Sequence, residues 1–124
     1  MIPQKIHLHK GSRELELIYS DGRWRLSCEF LRVHSPSAEV KGHGHGQEVL
    51  QVGKRNVGIT EIKPVGNYAL QLVFDDGHDS GLYSWSYLRE LSEHQDSKWA
   101  SYLARLDAEG GSRDPDVQVL QFDP

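Results

Sequence analysis

The chain has 124 residues, enough for one compact unit with a single hydrophobic core and too few for a large catalytic barrel plus a second domain. Residues 1–55 hold nine Lys/Arg and six Asp/Glu, a net of +3, whereas residues 56–124 hold five and twelve, a net of -7; that acidic second half argues against a nucleic-acid-binding protein, which would show a basic stripe with aromatic platforms. A lone cysteine, Cys28, excludes an internal disulfide and any all-cysteine zinc or iron–sulfur site in one chain, and no apolar run has the length of a signal-peptide core or a membrane span, so a reducing, cytoplasmic setting is expected.

Ile6 and Leu8 alternate with His7 and His9, the period of a strand whose more exposed face carries both histidines. A His-x-His pair on one strand face can bind a metal, and two solvated histidines are the plainer reading. From Glu14 to Ser27 a hairpin is predicted. With Asp21-Gly22 as a two-residue turn, Tyr19 faces Trp24 and Leu17 faces Leu26, while Glu16 and Arg25 lie on the other, weakly ion-paired face. Arg23, Arg25 and Arg32 can form a local anion site or ordinary surface charge. Phe30, Leu31 and His34 have helical spacing, ended by Ser35-Pro36 because proline disfavours helical geometry in the residue before it. A single helical turn or an irregular crossing segment is predicted there. Cys28, beside Leu26 and Phe30, reads as a small buried hydrophobe more readily than as a reactive thiol or a ligand.

Three glycines among residues 42–46 predict a mobile loop, whose His43 and His45 could close on a metal only by ordering it. Strands resume at Val57–Ile62 and continue through Pro64-Val65-Gly66 to Asn67–Phe74, where Tyr68, Leu70, Leu72 and Phe74 share one face. Asp76-Gly77 is a third turn signal. A two-residue loop there sets Asp75 opposite His78, and an adjacent carboxylate would favour the imidazolium form. Ser84 can cap a helix Trp85–Leu91, and a second helix is predicted from about Ser97 to Leu106 with Asp96 as its cap. Trp99, Tyr102, Leu103 and Leu106 line one side of it, where the aromatics read as core or interface rather than a cofactor box, and Trp99 with Tyr102 form the expected partner surface. Val117, Val119 and Phe122 alternate weakly and could add an edge strand. The expected fold is α+β, mainly antiparallel sheet built from hairpins with one or two short C-terminal helices; residues 1–109 form the domain and 110–124 a flexible tail.

Common enzyme signatures fail: the chain has no phosphate-binding Gly-x-x-x-x-Gly-Lys-Ser/Thr loop, no Gly-x-Gly-x-x-Gly after a strand and no Gly-x-Ser-x-Gly elbow. Asp75, Asp76 and Asp79 with His78 form a possible metal or general-base cluster, although Asp-Asp-Gly at a turn needs no function. A small hydrolase using Asp75 or His78 as base is the weakest reading, since spacing assembles no nucleophile, base and orienting group.

Three ordered motifs carry a family likeness: residues 30–39 (Phe-Leu-Arg-Val-His-Ser-Pro-Ser-Ala-Glu), Val65–Leu70, and Phe74–Trp85 followed by Tyr87-Leu88-Arg89. Over about residues 5–92 the chain resembles the gamma-butyrobetaine hydroxylase-like N-terminal domain. The resemblance implies a small, mostly β domain that precedes the barrel of carnitine-biosynthesis dioxygenases, occurs alone in bacteria, and also ends some P-loop ATPases of iron–sulfur assembly. It further implies a zinc site of three cysteines and one histidine. His78 matches the histidine, whereas the cysteine positions fall at or near Ser35, Ser37 and Val40. The barrel and its facial triad are absent from the sequence, and His78-Asp79 cannot supply the His-x-Asp part of that triad. The resulting expectation is a non-catalytic binding module with a protein partner, linked by the family's company to iron or iron–sulfur metabolism, without nucleic acid or membrane, with a homodimer admitted. Its alternative is a zinc- or iron-binding protein whose metal sits around His78, His34 and Asp75, with Cys28 as a more distant possible ligand.

Overall fold

Alternation of apolar and polar residues across residues 5–27 produces a three-stranded antiparallel sheet. Its strands are β1 (Lys5–His9), β2 (Glu14–Tyr19) and β3 (Gly22–Ser27), in the order β1-β2-β3. Two short helices follow, α1 (Cys28–Val33) and α2 (Ala38–Lys41). The second sheet has the order β4-β5-β6, from β4 (Ile59–Val65), β5 (Ala69–Phe74) and β6 (Leu82–Ser84), and the chain continues into α3 (Trp85–Glu93) and α4 (Gln95–Glu109). This computed structural model describes residues 1–42 and 46–117. The fold is therefore α+β, with antiparallel hairpin-built sheets and C-terminal helices. His43 and His45, and the Val119 and Phe122 part of the suggested edge strand, lie outside the described residues.

One core joins the two sheets. Leu15, Leu17 and Leu26 from the first meet Leu70, Leu72 and Phe74 from the second, with Phe30 and Leu31 of α1 and Leu88 and Leu91 of α3 completing the cluster. Ser27 caps α1 by accepting the Phe30 N–H at 3.0 Å, and Ser84 caps α3 through the Tyr87 N–H, as its sequence predicts. Cys28 is buried in this core, and burial pushes its thiol pKa up.

Local geometry departs from the sequence reading at several turns. In the first hairpin Tyr19 pairs with Gly22, so Leu17 lies opposite Trp24, Leu15 opposite Leu26 and Glu16 opposite Arg25. The turn is Ser20-Asp21, because Gly22 takes a strand position beneath the Trp24 ring. The pairing moves by two residues, so every side chain keeps its predicted face. Tyr68 does not join Leu70, Leu72 and Phe74 inside; it is exposed in the turn that Gly66 makes at φ +54°, and β5 begins only at Ala69. Around Asp76-Gly77 the turn has three residues, 75–77, with Gly77 at φ +90° and the Phe74 N–H donating to the His78 carbonyl. Phe74, rather than Asp75, therefore faces His78. The Asp75 N–H instead donates to the carbonyl of Gly58.

At the C-terminal end α4 starts at Gln95, so Asp96 lies in its first turn and the cap position is His94, which makes no side-chain cap bond. Tyr102 and Leu106 point inward while Leu103 is exposed. The expected flexible tail is docked where the structure describes it. Gly110 ends α4 in the left-handed region, and the Gly53 and Arg55 N–H groups donate to the carbonyls of Ser112 and Arg113. The Arg113 guanidinium forks onto both oxygens of buried Glu29 at 2.7 and 2.8 Å.

Tyr83 of β6 is fully buried, and its hydroxyl donates to the Leu31 carbonyl at 2.6 Å, fastening the second sheet to α1. Tyr83→Phe keeps the ring and leaves that carbonyl short of its donor, so unfolding stability is expected to fall by about 1–3 kcal/mol. Chemical denaturation with an unchanged denaturant slope checks this; a loss under about 0.5 kcal/mol would show that the bond is not what holds the sheet to the helix.

Candidate metal centre

Period-two alternation along β1 sends Ile6 and Leu8 to the core and His7 and His9 to the outer face. The β1–β2 register sets His7 opposite Glu16, so a carboxylate joins the two imidazoles on that face. One potential ligand atom from each of His7, His9 and Glu16 lies within 4.8 Å of the others. His9 Nε2 is 2.8 Å from Glu16 Oε1, and the two rings stand 6.1 Å apart. On this spacing the three could hold one ion. Two imidazoles with a carboxylate are the donor chemistry of zinc and its neighbours rather than of calcium or magnesium.

Two guanidinium groups share the same carboxylate. Arg23 Nη1 lies 3.4 Å from Glu16 Oε2, and Arg25 Nη2 lies 3.9 Å from Oε1 while Arg25 Nη1 donates to Glu14 at 3.1 Å. The His9 hydrogen bond leads in holding the Glu16 carboxyl below its usual range; partial burial works against it, and Arg25 and Arg23 reinforce it. A dication at this face would replace a hydrogen bond and sit beside positive charge, which limits its affinity. His7 and His9 are legible in the sequence as a His-x-His pair, whereas Glu16 reads there only as part of a weakly ion-paired face; the pairing of β1 with β2 is what adds the third ligand.

The residues expected around a His78 site are placed differently. His78 is buried, with Nε2 2.8 Å from Ser35 Oγ and Nδ1 3.3 Å from Glu39 Oε2. His34 Nδ1 lies 2.8 Å from the Phe30 carbonyl, which can only accept, so that nitrogen carries the proton. Asp75 lines a separate small cavity with Cys28 and Arg13. Asp76, not Asp75, is the carboxylate at this corner: its Oδ1 accepts the His78 N–H, and its Oδ2 accepts from Arg32 and Lys54. His78, His34 and Asp75 are thus not gathered on one point.

Ser35, His78 and Glu39 form a row with the order of nucleophile, base and orienting group. Ser35 has no exposed surface, so no substrate carbonyl can reach its oxygen. The fold does bring Ser35 to His78, and Ser37 Oγ is buried without a hydrogen-bond partner among the described residues. Neutral hydroxyls, a valine and the neighbouring Arg32 charge do not make the donor set of a structural zinc, so the residues present do not fit that ion here. Trp99 and Tyr102 also face inward. The Arg113 guanidinium lies 5.0 Å over the Trp99 ring, and the buried Tyr102 hydroxyl donates to the Gln51 carbonyl at 2.7 Å. Among the described residues the strands form two open sheets and no closed barrel, and no helix is long and apolar enough to cross a membrane.

The family described as gamma-butyrobetaine hydroxylase-like, N-terminal, matches residues 6–89. Two solution structures determined by NMR are similar over nearly the whole chain. One is 56% identical with a TM-score of 0.83, covering 98% of this chain and 96% of that one; the other is 50% identical with a TM-score of 0.78, covering 99% and 93%. A crystal structure of a protein of unknown function from Acidithiobacillus ferrooxidans is 38% identical with a TM-score of 0.61, covering 73% of this chain and 91% of that one. No curated protein matches the chain.

Burial pushes the pKa of both His34 and His78 down, helped by Lys98 at His34 and by Arg32 at His78, where Glu39 and Asp76 pull the other way. The imidazolium expected at His78 is therefore disfavoured rather than stabilised. Unfolding frees each ring to take a proton near pH 6.5, so the unfolded state binds more protons and stability falls as pH drops below that value. Carboxylates held below their usual range, such as Glu16 and Asp76, add a second loss only below about pH 4. Melting temperature is expected to decline between pH 7 and 5, with a smaller decline in His34→Phe, whose Phe30 carbonyl keeps the His34 backbone N–H as donor. A melting temperature flat across that interval would show that neither ring resists protonation.

Proposed function

The chain belongs to the gamma-butyrobetaine hydroxylase-like, N-terminal family, and from the ligand geometry on its first sheet we propose that it works as a non-catalytic metal-binding module taking one zinc or ferrous ion at His7, His9 and Glu16. The observation that carries this reading is the convergence of those three donors within 4.8 Å on one strand face. It favours the outer face of β1 and β2 over the corner around His78, where both ring nitrogens already face protein oxygen atoms.

Three protein ligands leave coordination positions open to water or to a donor from a partner. With Arg23 and Arg25 against the same carboxylate, the ion is held reversibly rather than as a structural staple. Its binding is independent of the hydrophobic core, because His7 is exposed and His9 and Glu16 meet on the side of the sheet away from Leu15 and Leu17.

Tag-free, chelator-washed protein titrated with zinc chloride is expected to take up one ion per chain, with Kd on the order of micromolar by calorimetry. The ring resonances of His7 and His9 should move while those of His34 and His78 stay in place. His7→Gln with His9→Gln should weaken binding by about tenfold or more, as should Glu16→Gln. Replacement of His43 and His45 should leave it intact. Equal affinity in the His7/His9 double variant, or no binding up to millimolar zinc, overturns the proposal.

A further inference from the structure

A second feature lies away from the metal-binding face. A cleft of about 550 Å³ opens between the end of α1, α2 and residues 48–51 on one side and α3 and α4 on the other. That volume is within the usual range for small-molecule sites. Its apolar wall comes from Val33, Val40, Leu50, Tyr87 and Tyr102, and its polar groups determine what could enter.

His34 contributes an acceptor fixed by the fold. Its Nδ1 donates to the Phe30 carbonyl at 2.8 Å, so in the neutral ring Nε2 must carry a lone pair. No described residue hydrogen-bonds that nitrogen. Burial, with the nearby Lys98 charge, pushes the ring's pKa down against the Phe30 hydrogen bond, which favours the neutral form. Phe30 and Tyr102 hold it in place, with ring centroids at 4.5 and 6.3 Å.

The charges around the cleft are unevenly engaged. Arg105 is bound to Glu109 and to the Glu48 carbonyl, each at 2.6 Å. Lys41 rests over the Tyr87 ring at 4.9 Å, while Lys98 makes no side-chain hydrogen bond or ion pair among the described residues and its charge acts on the His34 ring. Glu48 and Glu90 are the carboxylates on the rim. Lys98 therefore offers a cation beside the His34 acceptor, against an apolar wall and with Lys41 in support.

From this arrangement we infer that the cleft binds a small organic carboxylate with an apolar body and a hydroxyl or N–H donor, its acid group on Lys98 and its donor on His34 Nε2. Charge complementarity selects the acid. The His34 Nε2 acceptor selects the donor, since a ligand that covers it without one would leave its lone pair unmatched.

Indole-3-acetate meets all three requirements and serves as the probe, with indole, tryptamine and 1-methylindole-3-acetate as partners that lack the acid, reverse the charge or lack the donor. Amide and histidine resonances of the intact chain should show indole-3-acetate moving His34, Lys98 and Tyr102 while leaving His7 in place. The affinity of indole and of tryptamine is expected to be lower by about tenfold or more, and that of the methylated acid by about fivefold. Lys98→Glu should lose binding while its amide spectrum stays folded, and Lys98→Arg should retain most of it. Equal binding of tryptamine and indole-3-acetate, undiminished binding by folded Lys98→Glu, or no shifts at the cleft with millimolar probe overturns the inference.

Discussion

Helix α1 imposes the constraint that the rest of the fold satisfies: all six of its side chains are buried, and two of them, Glu29 and Arg32, are charged. A charge removed from water without a partner costs several kcal/mol, more than a domain of this size can absorb twice. Both partners come from the far half of the chain. Asp76 reaches Arg32 from the β5–β6 turn at 2.9 Å, and Arg113 reaches Glu29 from beyond α4. Those two pairs explain why a glycine-rich turn and an apparently loose C-terminal stretch are held against the body. The apolar core alone would not fix either of them.

The constraint also explains why the most chemical-looking stretch serves structure. Asp76 is shared by Arg32, Lys54 and the His78 N–H. Burial alone would raise its pKa, and these three donors together hold it below the usual range. His78 connects Ser35, just past α1, to Glu39 in α2. A histidine and a carboxylate beside a glycine turn resemble a site in one dimension. In three, they are the fastening of α1 to the second sheet, beside the Tyr83 bond to Leu31.

What the sequence disclosed follows from the range over which each signal acts. Strand faces and helix caps depend on neighbours two to four residues away, so β1, β2, β5 and α3 are legible, and the first hairpin keeps its faces even though its turn is misplaced by one residue. Turn length is less legible, because the choice between two and three residues at Asp76-Gly77 depends on whether Gly77 takes a left-handed conformation. The Glu29–Arg113 pair spans 84 positions and leaves no local pattern. That is why the stretch after Gly110 reads as a flexible tail. The metal trio is half legible: alternation gives His7 and His9, whereas Glu16 joins them only through the strand pairing. Trp99 and Tyr102 form a clear helical stripe, but a stripe cannot say whether a partner or the chain's own α1 covers it.

Function is better read from the polar groups that remain once the fold's own requirements are met. Arg32, Glu29, Asp76 and His78 are each engaged by two or more groups or by a bidentate partner, and removing any of them would first be felt in stability. The outer face of the first sheet is different. Burial of Leu15 and Leu17 requires β2 to carry Glu16 on the opposite side, but nothing in the core requires histidines at positions 7 and 9. At the cleft, His34 needs only Nδ1 to satisfy the helix end, which leaves Nε2 and the neighbouring Lys98 in excess of structural need. Donors and acceptors surplus to the fold, placed where solvent or a ligand can reach them, are the groups able to change partner without unfolding the chain.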